Sequence, residues 1–251
     1  MISTLQDIYS VLWADLRFLR RNWPKTLLTS LISPLLYLVA FGYGLGRGLY
    51  IDGYDYLAFV LPGIVALTVM TSSFNGAGMK LHVDRLFYRC FDECLMSPIG
   101  FFSIVMGKTL VGVVRGLVST LPLLVLCLAF SPLFSINPLF VIALAVSLFT
   151  FSALGVLIAL WAKSHSDINT FSSIVVLPMT FLSGTFFSLN QLPEALKIVL
   201  YFLPLTHSSM CLRAAALGQP FPWLSLLALS GFGTAFILGC LAMLKRASVR
   251  A

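Results

Sequence analysis

Six apolar stretches dominate this chain, at residues 26–46, 56–79, 104–130, 138–162, 168–188 and 222–244. A helix of about 20 residues crosses the roughly 30 Å hydrocarbon core of a bilayer, so each stretch is long enough to span it. Only the third carries charge, Lys108 and Arg115. Their length and lack of period-two alternation argue against membrane-spanning strands. The 251 residues are 59% hydrophobic and 10% charged, against roughly 25% charged in an ordinary soluble domain. A domain of this size cannot hide so much apolar surface, so lipid must solvate it. The expectation is an all-α integral membrane protein with six transmembrane helices, and a soluble or disordered chain is excluded.

The net charge of +7 is better explained by topology than by a polyanion partner, so no nucleic acid is expected. Eleven of the Lys and Arg residues fall before the first stretch, between the second and third, between the fourth and fifth, and after the sixth, and Lys108 near the start of the third joins them as a twelfth. Three, Arg47, Lys197 and Arg213, fall on the other side. Positive residues stay cytoplasmic, which places both termini in the cytoplasm, and an even number of crossings agrees in keeping them on one side. Arg115 lies inside the third crossing, where its cost raises a substrate-site hypothesis against the alternative that a tilted helix lets it reach an interface or a carbonyl partner.

Leu5, Ile8, Tyr9, Leu12, Leu16 and Leu19 recur at helical spacing ahead of the first crossing. With Trp13 on its margin, residues 1–25 read as an amphipathic interface helix along the lipid headgroups, ending at Asn22, Trp23 and Pro24. Acidic and basic residues mixed through this start argue against a cleaved signal peptide. Residues 80–100 carry Leu81, Val83, Leu86, Phe87 and Phe91 on one apolar face and read as a cytoplasmic docking helix. On the outer side, residues 189–221 hold two runs too short to span. Pro193 and Glu194 start the first, Pro204 ends it, and Gly218 with Pro220 closes the second, Leu205 to Leu217. They read as a re-entrant hairpin between the fifth and sixth crossings.

Several local patterns carry no chemistry. Gly107-Lys108-Thr109 ends like a phosphate loop, but Phe102 stands where the motif needs glycine and no strand precedes it, so Lys108 reads as a lysine snorkelling to the cytoplasmic face. Gly42, Gly44, Gly46 and Gly48 read as an irregular end to the first crossing, and Gly112 with Gly116 as a packing pair. His82, Cys90 and Cys94 lack a fourth ligand for zinc, and His207 with Cys211 lacks a catalytic partner. The five cysteines, an odd number in apolar sequence, read as buried thiols. No catalytic residue, metal site or cofactor is expected.

Two segments carry a resemblance: FLSGTFFSLNQLP at 181–193 and FLPLTHSSMCLRAAALGQP at 202–220. With FVLPGIVALTVM (59–70), FDECLMSPIG (91–100) and WAKSHSDINTF (161–171), they resemble permeases of the type-2 ABC exporter superfamily, especially those exporting nodulation lipo-oligosaccharides, polysaccharides and drugs. The resemblance implies one transmembrane domain over 1–251: interface helix 1–25, helices 1–5 over 26–188, hairpin 189–221, then helix 6 and tail over 222–251. It also implies a permease subunit without its own ATPase site, in a bacterial inner membrane, paired with a second copy. ATP and Mg would be bound by a separate ABC ATP-binding subunit. Residues 82–97 would be the coupling helix. Arg89, Asp92, Glu93, Ser97, Pro98 and Asp167 would meet the ATPase, Glu93, Ser97 and Pro98 standing at the family's acidic and Ser-Pro positions. Met70, Phe74, Asn75, Met179, Thr180 and Phe181 would line the path of an amphiphilic, lipid-linked or glycan-type cargo or a drug. The alternatives are a secondary transporter, which would show paired midplane acids or broken-helix symmetry, and a membrane enzyme, which would show clustered His, Asp or Glu at one face.

Overall fold

The computed structural model describes the backbone of residues 2–45, 48–88, 90–189 and 192–250, and their side chains except at 2, 3, 18, 19, 22, 23, 25, 26, 42, 43, 45, 92 and 247–250. Helix α1 (Ile2–Tyr37) runs into a π-helical segment (Leu38–Leu45), followed by a two-residue hairpin, β1 (Tyr50–Ile51) and β2 (Tyr54–Asp55). Then come α2 (Tyr56–Leu86), α3 (Cys90–Met96), α4 (Phe101–Phe130) and α5 (Pro138–Trp161). The next helical path joins α6 (His165–Phe171), a π turn (Ser172–Val176) and α7 (Leu177–Leu182). Two short helices, α8 (Glu194–Tyr201) and α9 (Pro204–Ala216), precede the long α10 (Trp223–Arg250).

Four helices, α2, α4, α5 and α10, are long and apolar enough to cross a membrane, and the bent pair α8–α9 would make a fifth if counted as one span. The first and fifth expected crossings fall where π-helical turns interrupt the α geometry. Helix α2 is the centre of the bundle. Its apolar window is 83% buried and that of α5 67%, against 33% for α4 and 22% for α10. The two central helices pack on each other, with α4 and α9 against α2 and α10 against α5. On α4, Leu121, Val125 and Leu128 stay exposed, and on α10 Leu224, Leu227 and Leu238, a surface that water would not tolerate but lipid does.

Glycines set how closely the helices approach. A Cβ at Gly155 would lie 2.5 Å from the Phe74 carbonyl oxygen, and one at Gly78 2.9 Å from that of Gly155, so the α2 and α5 backbones touch there. A Cβ at Gly112 would meet Ser152 and Ala77, and one at Gly116 would meet Ser73 and Leu148, which places the expected packing pair between α4 and both central helices. Gly155→Ala is expected to destabilise the chain by about 1–3 kcal/mol, because neither backbone can give way. A thermal unfolding midpoint in detergent equal to that of the unmodified chain would show that the contact is not this tight.

Three expectations are corrected. The chain does not leave the helix at Asn22–Pro24: α1 stays helical through Pro24 and Pro34. Proline removes one hydrogen bond from the ladder and bends a helix without ending it when both flanks continue to pack. The docking helix does not begin at residue 82, because α2 continues to Leu86. Burial of Leu81 and His82 and the i,i+4 pair Lys80–Asp84 extend it, and a bond from the Phe87 N–H to the Val83 carbonyl closes it, leaving α3 as a separate seven-residue helix. The cysteines are not uniformly buried: Cys127, Cys211 and Cys240 are, but Cys90 is exposed and Cys94 partly so.

Candidate functional site

At one end of the bundle, four charges from three helices meet. Lys108 of α4 lies 2.7 Å from Asp15 of α1 and 3.2 Å from Asp84 of α2, while Lys80 reaches Asp84 at 2.5 Å and Asp15 at 3.5 Å. Asp15, Asp84 and Lys108 are buried, so Lys108 does not snorkel to solvent as expected but is consumed by a charge-neutral quartet. Sequence reading missed this site, since the partners of Lys108 stand 93 and 24 residues away. A visible signal was Asp15 itself, an acid on a helix whose nearest turn contributes the buried Val11.

The same end ties α2 to the connection after α5. The Nη1 of Arg85 donates to the carbonyls of Ala159 at 3.0 Å, Leu160 at 2.6 Å and Ala162 at 3.2 Å, capping the last turn of α5. The His82 and His165 rings stand 5.7 Å apart. Asp167 accepts from the backbone N–H groups of Lys163 at 2.8 Å and Ser164 at 2.9 Å, and its own N–H donates to the Ser164 side chain, a complete capping box at the start of α6. Those two N–H groups hold the exposed Asp167 carboxyl below the usual carboxylate range.

Residues expected to meet an ATPase divide as follows. Glu93 and Pro98 are exposed on and just after α3, and Ser97 turns its hydroxyl back onto the Cys94 carbonyl at 2.6 Å. Arg89 lies outside the described residues, as does the Asp92 side chain. Around α3, Phe87 and Tyr88 are each 70% exposed and Met96 89%, while Phe91 is buried against the bundle. Burial pushes the Cys94 thiol above its usual range, which keeps it protonated.

A cleft of about 460 Å³ opens midway along the bundle between α1, α2, α4 and the π turn with α7. Among the residues expected on the cargo path, Asn75 and Thr180 line it, joined by Ser33, Ser72, Arg115, Ser119 and Ser172. Met70, Phe74 and Met179 are instead buried in the apolar core, and Phe181 is largely exposed beside Phe186. A small residue beside a bulky one on the same helix decides which reaches the cleft, and spacing alone does not reveal which face that is.

The other end is held by Arg213 of α9. Its Nε donates to the Phe59 carbonyl at 3.2 Å and its Nη2 to those of Gly184 at 2.7 Å and Thr185 at 3.2 Å, with the guanidinium 3.8 Å from the Phe59 ring centre. The α8–α9 bend is 97°, and α9 is buried over nearly its whole length. Gly218 at φ +67° closes α9, with the Gln219 N–H bonding the Ala214 carbonyl as a Schellman cap. The hairpin turn uses Asp52 (φ 51°) and Gly53 (φ 82°), positive at both centres as a type I′ turn requires, and Ser188 donates to Asp52 at 2.7 Å. The sequence reading did not anticipate these strands.

Apolar helices around a polar cleft, with charge gathered at one end, define a multi-pass helical membrane protein. The model of the ABC-2 type transporter family matches residues 6–217, and the chain belongs to that family. It is 28% identical over 241 residues to the inner membrane transport permease YadH of Escherichia coli (strain K12), covering 94% of this chain and 93% of that protein. It is 30% identical over 212 residues to nodulation protein J of Neorhizobium galegae (81% and 78% covered) and 29% over 217 residues to that of Rhizobium meliloti (83% of each).

Proposed function

We propose that this chain is the membrane-spanning permease subunit of an ATP-driven ABC exporter in a bacterial inner membrane, moving an amphiphilic, lipid-linked or glycan-type cargo or a drug. In this reading the chain crosses six times with both termini cytoplasmic, and the quartet end faces the cytoplasm. The first part of α1 lies along the headgroups, its exposed Leu5, Tyr9 and Trp13 meeting lipid. The α8–α9 pair is a re-entrant hairpin in the outer leaflet, and a second copy of the chain completes the path. Lys108 is committed to Asp15 and Asp84 and is not available to hold a nucleotide phosphate, so the work enters through a partner.

The observation that carries this reading is the exposure of Phe87, Tyr88 and Met96 around α3, at a charged end where lipid tails do not reach. An apolar patch rimmed by Glu93 suits docking to a separate ATP-binding subunit, and Arg85 links that patch to the start of the next cytoplasmic loop. The experiment is affinity purification of the chain in mild detergent, with mass spectrometry and an ATPase assay of the eluate. A stoichiometric ABC ATPase is expected. Glu93→Lys should reduce coupled ATPase activity at least tenfold without moving the melting midpoint, because an exposed side chain is changed and no packing is lost. A clean oligomer of this chain with no ATPase would move the reading to a secondary transporter or membrane enzyme.

A further inference from the structure

Arg115 stands about halfway along the 30-residue α4, at a depth where a guanidinium is costly unless something neutralises it. The fold treats its other inward-facing arginines differently: Arg85 and Arg213 are each bonded to three backbone carbonyls. Among the described residues Arg115 makes no hydrogen bond, and no carboxylate comes within ion-pair distance of it. It is nonetheless built in. A Cβ at Gly76 would meet the Arg115 Cβ and Cδ at 3.1 Å, so the missing side chain on α2 seats the arginine stem at the cleft wall.

The rest of the cleft offers hydrogen-bond donors to match. The hydroxyls of Thr68, Thr71 and Thr180 are spent on carbonyls of their own helices. Asn75, Ser72, Ser119 and Ser172 line the same space, and their side chains make no hydrogen bond among the described residues. Among the described residues no acidic side chain lines the cleft. A single cation with an amide and several hydroxyls, with Leu67, Val176 and Leu177 also lining the cleft, complements a ligand that is anionic, rich in acceptor oxygens and attached to an apolar body. The planar fork of arginine fits a phosphate oxygen pair better than a point charge does.

We infer that this cleft binds the phosphate ester of an amphiphile's headgroup through Arg115, with Asn75 and Ser119 as further donors. The inference rests on the proposed function only in treating that amphiphile as cargo. The ester can come from a membrane phospholipid or from a phosphorylated glycan, and the test separates the two.

The purified full chain in detergent is titrated calorimetrically with glucose 1-phosphate and with dihexanoyl phosphatidate, and with glucose and dihexanoyl glycerol as their uncharged counterparts. At least one phosphate probe is expected to bind saturably and its uncharged counterpart not to bind. Arg115→Gln should weaken binding tenfold or more and Arg115→Lys by less. The unliganded melting midpoint of Arg115→Gln should not fall, because the arginine has no partner to lose. Binding of the sugar phosphate alone identifies a glycan source, of the phosphatidate alone a lipid source, and of both a site that reads the phosphate itself. If Arg115→Gln does not fold, the double variant Asn75→Ala with Ser119→Ala should show a loss of threefold or more. Failure of both phosphate probes, or full affinity in Arg115→Gln, overturns the inference. The readout needs no ATP: a copurifying ATPase without probe binding would remove this site and keep the exporter, and probe binding without an ATPase would do the reverse.

Discussion

Lys108→Met is expected to destabilise the chain by about 3–5 kcal/mol, the usual cost of stranding a buried charge by removing its partner. The substitution keeps most of the apolar stem, so little of the loss comes from packing. What remains is Asp15 and Asp84, both buried, sharing the single cation of Lys80. The measurement is the thermal unfolding midpoint in detergent together with the yield of monodisperse protein. A second substitution, Asp15→Leu in the Lys108→Met background, should restore most of the loss, since one charge of each sign is then gone and the Lys80–Asp84 pair survives. Additive losses in the double variant would show that the quartet is not one electrostatic unit. The quartet joins α1, α2 and α4 at the end from which α3 projects, and Phe91 of α3 packs there against Leu81 of α2 and Ile104 of α4.

Arg213→Met is expected to cost about 2–4 kcal/mol, because three buried carbonyls on two separate segments lose their donor at once. Arg213→Lys should recover only part of this, since an ammonium cannot present two edges of a planar fork to carbonyls in different directions. The loss should be local. Amide hydrogen exchange in α9 is expected to speed by tenfold or more while α2 and α5 keep their protection, because Arg213 joins α9 to the start of α2 and to the turn at Gly184 and Thr185. Uniformly faster exchange across the bundle would mean that Arg213 supports the whole fold.

Much of the architecture was legible in the residues. Length and apolarity marked α2, α4, α5 and α10, since a run of about 20 predominantly apolar residues has few alternatives in any fold. Turn chemistry marked the ends of α8 and α9: Pro204 opens α9 and Gly218 closes it in the left-handed conformation that glycine adopts freely. The continuity of α1 through Pro24 was not legible. Proline forbids one hydrogen bond, and whether the helix resumes depends on the packing of both halves. The end of α2 was equally hidden, because the residues that extend it, Leu81 and His82, do so by burial against other helices.

The candidate sites divide in the same way. An apolar helical face singled out the segment containing α3, and the family resemblance the loop of Asp167, whose capping partners lie within a few residues. The Asp15–Lys108–Asp84–Lys80 quartet, the carbonyl clamps of Arg85 and Arg213, and the cleft around Arg115 join residues far apart in the chain. The sequence by itself determined that this protein lives in lipid, that α2, α4, α5 and α10 are long enough to cross it, and the family to which it belongs, because solvation and helix length depend on composition and local order. Only the tertiary structure decided that Lys108 is neutralised, that Arg213 is satisfied and that Arg115 is neither. A charge at membrane depth is tolerated or left waiting according to what the neighbouring helices bring within about 3 Å of it, and that is a property of packing.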